Sequence, residues 1–414
     1  MSAKAANVAD IRLADIDFYA DGTPHWAFRQ LREEAPISWQ EGFGFPGHWA
    51  VVKHDHAVQI SKDPATFSSE QGITVESLES FGDSELVRRG TNMMVYIDPP
   101  RHNRIRALVN RDFTPRRVAQ YEDFLRGVVG ELFDTVTTEG ESDFVADIAA
   151  PLPMFVICEL LGVPRDDRQY LIGLFNRFFG VDDPEFQEEG LTVEENTAKV
   201  YEEINDYLEK NLLRQKRQLA AGDIGSMLAG AEIDGDRLSD DEIVAFYHLL
   251  LGAGSETTRT AASGGLQALF ENPEQLDLLR EDPALIPSAV EEILRWVSPI
   301  LGFGRVATKD TEVHGQAIAA GDKIHMWYVS ANRDEDVFAD SEVFDVRRSP
   351  NPHLSFGVGT HFCLGSSLAR LELRVLFELL LERFAGIESA GEVEYLRTLL
   401  TPGIKHMPIR LRRA

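Results

Sequence analysis

Apolar residues recur three and four positions apart along most of the chain, the spacing of helices with one buried stripe. The pattern predicts helices over WAFRQLREEA (26–35), RHNRIRALVNRDF (101–113), RRVAQYEDFLRGVVGELFDTV (116–136) and residues 196–219. It predicts three more from SDDEIVAFYHLL (239–250) onward, over ALIPSAVEEILRW (284–296) and over LARLELRVLFELLLERF (368–384). Strand-like alternation is short: HWAVVK (48–53), RVATKDTEV (305–313), DKIHMWYV (322–329) and KHMPIRLR (405–412). There is no internal repeat and no Gly/Ser-rich or Pro-rich linker. The expectation is a mainly α protein with small β-sheets (α+β), one domain over residues 1–414. Its subdivisions would be a β-richer N-terminal part (about 1–70), a helical body (about 100–300) and a cysteine-bearing region (about 345–385).

One helix start is fully specified. Ser239 and Glu242 form an S-x-x-E capping box, and Leu238 and Ile243 are spaced for a hydrophobic staple. From there the periodicity runs to about Phe270, a helix of ~45–50 Å at 1.5 Å per residue.

The middle of that helix reads LLLGAGSETTRTAAS, and it is chemically odd. Gly252 and Gly254 each cost up to ~1 kcal/mol relative to alanine in a helix interior. Ala245, Leu249, Ala253, Glu256, Thr257 and Thr260 fall on one side. Small residues let something bulky lie against the backbone, and a hydroxyl beside a carboxylate can relay protons. The alternative is a close helix–helix crossing with Glu256 paired in the core. His248, one turn before Gly252, reads either as a core histidine or as a substrate contact.

Charge and cysteine content narrow the choices. Lys plus Arg number 41 against 68 Asp plus Glu, a net charge of −27, which weighs against non-specific nucleic-acid binding. Two cysteines, Cys158 and Cys363, exclude a disulfide framework and a cysteine-rich zinc site. Cys158 in PMFVICELLGVP reads as a small buried hydrophobe. The N-terminal MSAKAANVADIRLADID lacks a signal-peptide or anchor stretch, so a soluble cytoplasmic protein is expected.

Cys363 sits in SFGVGTHFCLG, ahead of an amphipathic helix with Leu364, Leu368, Leu371 and Val375 inward. A helix N-terminus favours a thiolate. Gly357, Gly359 and Gly365 permit tight turns and close approach to a flat object. No second cysteine is near for a metal cluster, and no histidine arrangement supports a catalytic cysteine. A lone thiolate on haem iron fits best.

Phe356, Gly357, Gly359, His361, Cys363 and Gly365 together resemble the haem-binding signature of the cytochrome P450 superfamily, in its soluble bacterial form. Ala253-Gly254-Ser255-Glu256-Thr257-Thr258 is similar to the family's oxygen-activation motif. Glu292-Ile-Leu-Arg295 matches its E-x-x-R, and DPPRHNRIR resembles the early helix that holds a haem propionate. The resemblance implies haem b with Cys363 as iron ligand, and His102, Arg106, Arg305 and His361 on the propionates. It implies that Thr257 and Glu256 serve oxygen activation, as hydrogen-bonding and proton-passing groups, with Ala253, Phe356, Gly357 and Gly365 beside the cofactor. Glu292 and Arg295 become a structural pair. Val343 stands where the family's third partner, an arginine, is usual, so Arg347 or Arg348 is expected in its place, with Arg347 preferred.

The implied activity is a monooxygenase (oxidoreductase, EC 1.14) using dioxygen, with ferredoxin and ferredoxin reductase as separate electron donors and the chain a monomer. Arg101, Arg104, Arg106, Arg111, Arg116, Arg117, Arg370 and Arg374 form either a docking patch for an acidic partner or a solvated face. The segments that contact substrate in the family contain Val75, Met94, Val95, Ala245, Leu249, Ile300, Phe303 and Leu400, a lining suited to a lipophilic small molecule. A steroid or terpenoid is favoured, with fatty-acid or aromatic hydroxylation as the alternative. A haem-thiolate ligand sensor is the reading from another class.

Overall fold

The computed structural model describes residues 7–43, 45–75, 89–136, 140–218, 222–233 and 235–414. Part of the substrate-contact segment, residues 76–88, lies outside them. The chain divides into two compact units. The first comprises 1–82, 264–363 and 397–402; the second comprises 83–263, 364–396 and 403–414.

The first unit is built on a sheet that has, among the described residues, the order Ile37–Gln40, His48–Val51, Lys323–Trp327, Gly302–Ala307, Phe67–Ser68. His48–Val51 and Lys323–Trp327 run parallel; the other neighbours are antiparallel. Alternate residues leave opposite faces of a strand, and two apolar clusters result. Ala50, Val52 and Trp327 join Leu31, Val75 and Leu301. Val51, Ile324 and Met326 join Ile60, Phe67 and Leu354.

The second unit is mostly helical, with a small sheet ordered Phe384–Ser389, Pro408–Arg413, Ser142–Asp143. The long helix spans Asp240–Glu271, 32 residues, or about 48 Å. Its capping box is formed: the Ser239 amide donates to Glu242 Oε2 (2.9 Å) and the Glu242 amide to Ser239 Oγ (3.3 Å). Leu238 and Ile243 are both buried.

Helices absent from the expectation include Pro151–Leu161 and Arg168–Phe179. Nearly every residue of Pro151–Leu161 is buried. An all-round apolar helix shows no stripe, so its periodicity is silent. Cys158 lies there fully buried, and burial pushes its thiol up to about 12.

Candidate haem and oxygen-activation site

In the first unit the cysteine loop is held at both ends. The Cys363 amide donates to the Phe356 carbonyl (2.8 Å), and the Gly357 amide to the Leu354 carbonyl (2.8 Å). Gly357 and Gly359 adopt φ of 65° and 77°, the left-handed region that favours glycine. At Gly359 a Cβ would also stand 2.4 Å from the Ser61 carbonyl oxygen. Gly365 differs from that expectation: its φ is an ordinary −83°. It is the N-cap of the helix Ser366–Arg383, so Cys363 lies two residues ahead of the cap rather than in the first turn. Cys363 is half-buried and not disulfide-bonded.

Behind the loop stands the Glu292–Arg295 pair, both side chains fully buried. Arg295 Nε and Nη2 each lie 2.8 Å from a Glu292 oxygen. Arg295 Nη1 donates to the Asn332 carbonyl (2.9 Å). Asn332 then receives the Leu354 amide (2.6 Å) and donates to Ser355 Oγ (2.9 Å), which fixes the start of the loop. The third partner is Arg348, whose Nε lies 3.1 Å from Glu292 Oε2. The preference for Arg347 is corrected: that side chain is exposed and pairs with Asp345. Arg348 also donates to the carbonyls of Ala339, Asp340 and Val343, so its longer reach replaces a side chain that Val343 cannot provide. Asn332 was not singled out in the sequence, because SANRDE carries no motif that marks it.

Arg305 is buried on the strand Gly302–Ala307, with Nη1 2.6 Å from the Gly304 carbonyl. His361 Nε2 lies 3.3 Å from Ser69 Oγ. Leu301 donates its amide to the Leu400 carbonyl (2.9 Å), joining the segments of Ile300 and Leu400. Val75 packs with Leu301 in one apolar cluster. Phe303 instead packs against the other cluster, its ring 6.0 Å from Tyr328.

In the second unit the middle of the long helix resolves the alternatives posed above. Gly252 serves packing, since a Cβ there would stand 3.2 Å from Phe175, whereas at Gly254 a Cβ would meet Ile157 at an ordinary 3.4 Å. The exposed position between them is Ala253, and Thr257 one turn on is partly exposed. Thr257 Oγ1 donates to the Ala253 carbonyl (2.7 Å), so its lone pairs face outward as acceptors.

Glu256 is buried and paired with Arg259, Nη1 to Oε2 3.1 Å. Arg259 is anchored in turn by Asn176 Oδ1 (3.0 Å) and the Ile404 carbonyl (3.3 Å). Burial raises the pKa of Glu256, against the pull of Arg259. Glu256 Oε1 and Thr260 Oγ1 have no hydrogen-bond partner among the described residues. A cavity of about 10 Å³, lined by Ser255, Glu256, Arg259 and Asn176 among others, has room for roughly one water. Arg259 lay one residue past the motif and was missed.

His102 and Arg106 share the helix Arg101–Val109. Burial lowers the pKa of His102. The expected substrate residues Val95, Ala245 and Leu249 meet in one cluster with Met93, Tyr96, Phe178 and Tyr201. Met93 enters it in place of Met94. Phe178 and Tyr201 come from helices whose facing sides the sequence does not reveal. The basic stretch is interleaved with acids: Arg101 pairs with Glu242, Arg374 with Glu122 and Glu378, and Arg111 and Arg117 approach Asp112. Arg116 stays exposed.

The family model for cytochrome P450 matches residues 18–394. The chain belongs to the cytochrome P450 family. It is 40% identical to a methyl-branched lipid omega-hydroxylase of Mycobacterium bovis, over 97% of this chain and 95% of that one. It is 37% identical to a steroid C26-monooxygenase of Mycobacterium tuberculosis, over 97% and 96%. A solved structure, Mycobacterium marinum cytochrome P450 CYP268A2 in complex with pseudoionone, matches with a TM-score of 0.90 and 33% identity, over 99% of this chain and all of that one. The fold is therefore the mostly helical P450 fold with small sheets, and this P450 is a monooxygenase. Members of the family hold iron protoporphyrin IX through a cysteine thiolate, and use redox partners, dioxygen and lipophilic substrates.

The residues present fit that cofactor. Cys363 would supply the soft ligand, and cations suited to propionates are present in Arg305 of the first unit and Arg106 of the second. A Cβ added at Gly365 would meet no protein atom within 4 Å, so protein packing does not require a glycine there. Ala253 is likewise an exposed small residue in an otherwise buried helix. No helix among the described residues is long and apolar enough to cross a membrane.

Proposed function

We propose that this P450 inserts one oxygen atom from dioxygen into a steroid or terpenoid, with electrons from a separate ferredoxin and its reductase. In this reading residues 1–414 act as one haem-thiolate domain, monomeric and cytoplasmic. The observation that carries the substrate class is the apolar cluster in which Val95, Ala245 and Leu249 meet Met93, Tyr96, Phe178 and Tyr201. The relatives named for activity on a methyl-branched lipid and a steroid support a lipophilic substrate.

The division of labour follows from the residues. Cys363 holds the haem, and Arg106, Arg305, His361 and His102 bind its propionates. Gly357 shapes the loop, while Phe356, Gly365 and Ala253 border the cofactor. When bound, haem supplies the activation of dioxygen. Thr257 Oγ1 offers a hydrogen bond beside Ala253, and Glu256 moves a proton at Oε1, the oxygen that Arg259 leaves unpaired. Glu292, Arg295 and Arg348 position the loop through Asn332.

Spin-state titration with sterol, terpene, fatty-acid and aromatic ligands, followed by turnover with dioxygen, ferredoxin and reductase, tests the proposal. Steroids or terpenoids should shift the spectrum and yield oxygenated product. Turnover with peroxide alone and none with the partner proteins would overturn it.

A further inference from the structure

His248 lies on the long helix between two positions assigned to substrate, three residues after Ala245 and one before Leu249. It is 2% exposed, and neither ring nitrogen has a hydrogen-bond partner among the described residues. Its neighbours are aromatic: ring centroids lie 5.1 Å from Phe178, 5.1 Å from Tyr201 and 5.7 Å from Phe175. Phe178 and Tyr201 belong to the apolar cluster that also holds Val95, Tyr96, Ala245 and Leu249.

Packing alone gives no reason for a histidine here, since phenylalanine or leucine would fill the space without a polar penalty. Burial pushes the His248 pKa down to about 3, with no charged group contributing. The ring is therefore neutral at working pH, with one N–H and one lone pair. An aromatic face weakly receives an N–H but offers nothing to a lone pair. A buried polar group left unpaired costs ~1–3 kcal/mol, a cost that a ligand atom can remove.

We propose that His248 hydrogen-bonds an uncharged oxygen, a hydroxyl or a ketone, on an otherwise lipophilic substrate. The inference rests on the proposed function for where substrate lies, and it deepens that reading. A carboxylate head group fits poorly, because it wants a cation and His248 supplies none. Recognition of this kind discriminates strongly, since the analogue lacking the oxygen leaves the imidazole unpaired.

The test uses matched ligands that differ by one oxygen: a terpene alcohol with its deoxy parent hydrocarbon, and a hydroxysteroid with its deoxy parent. Dissociation constants are measured by spin-state titration and calorimetry on the haem-loaded wild type, His248→Phe and His248→Gln. The wild type should prefer the oxygenated member of at least one pair by roughly tenfold or more. His248→Phe should abolish that preference while binding the hydrocarbon about as well, and His248→Gln should retain part of it. An oxygen preference undiminished in His248→Phe, or absent from the wild type in both pairs, overturns the proposal. Should His248→Phe fail to load haem, a reduced preference in His248→Gln supports the proposal and an unchanged preference overturns it. Absence of binding by either member of both pairs contradicts the proposed function itself.

Discussion

Arg259 Nη1 stands 3.1 Å from Glu256 Oε2, one helical turn along, with both side chains buried. The acid of the oxygen-activation motif is thus held by a cation of its own helix, and that cation is fixed by Asn176 and Ile404. Burial raises the Glu256 pKa and Arg259 opposes the rise. Removing the charge in Arg259→Gln should raise it further, so the limb on which turnover falls with increasing pH moves to higher pH. Glu256→Gln should cut coupled product formation by about 100-fold, the lower end for a lost proton-transfer group, while reductant consumption continues. Product and reductant measured across pH check both outcomes. An unmoved limb in a haem-loaded Arg259→Gln protein would contradict the first.

The buried carboxylate Glu292 receives two arginines, the Asn351 amide and the Asp345 backbone amide. Glu292→Ala leaves Arg295 and Arg348 facing an apolar gap and should cost ~3–5 kcal/mol. The expected product is poorly folded protein with little haem. Arg348→Ala should destabilise by about 1–3 kcal/mol, whereas Arg347→Ala, on the surface, should stay within about 0.5 kcal/mol. Denaturation midpoints and haem content of the three variants check the order; equal effects at Arg347 and Arg348 would refute the assignment.

Two glycines of the cysteine loop region should respond differently to alanine. At Gly359 the left-handed backbone and the Ser61 carbonyl both forbid a Cβ, so Gly359→Ala should disrupt the loop and lower stability. At Gly365 neither applies. Gly365→Ala should leave apoprotein stability nearly unchanged and weaken haem binding. Thermal melts of apoprotein alongside haem titration distinguish the two.

His406 bridges Asp143 (2.6 Å) and Glu185 (2.9 Å). Burial would lower its pKa, but the two carboxylates win and raise it. A raised folded pKa means the bridge is fully stabilising below the ordinary histidine value and weakens as pH climbs through the folded value. Melting temperature should therefore fall as pH climbs above the ordinary histidine value of about 6.5, and His406→Gln should flatten that slope. The same slope in the variant would assign it elsewhere.

How much of this was legible in the chain depended on whether a signal was local. The long helix declares itself through Ser239, Glu242 and its stripe, and its end at Glu271 falls one residue from the expected Phe270. The cysteine loop is equally plain, because its chemistry is contained in eleven residues. Pro151–Leu161 was hidden because all of it but Phe155 and Glu159 is buried, which leaves no narrow apolar stripe. Asn332, Phe178 and Tyr201 were missed, and Arg348 was named only as the second choice after Arg347, for a different reason. Each matters through a partner far away in the chain, and spacing carries no trace of that. Gly252 shows the limit of local reasoning: the small residue was visible, but that Phe175 fills the space beside it was not.

The account stands or falls on a single sulfur ligand, so the decisive measurement is the absorption spectrum of the reduced, carbonylated protein and its Cys363→Ser variant. Wild type should show the strongly red-shifted Soret band of thiolate-ligated haem, and the variant should lose both the shift and turnover. A haem-supplied wild type that stays colourless, or a variant with the same band and activity, would contradict the assignment of Cys363.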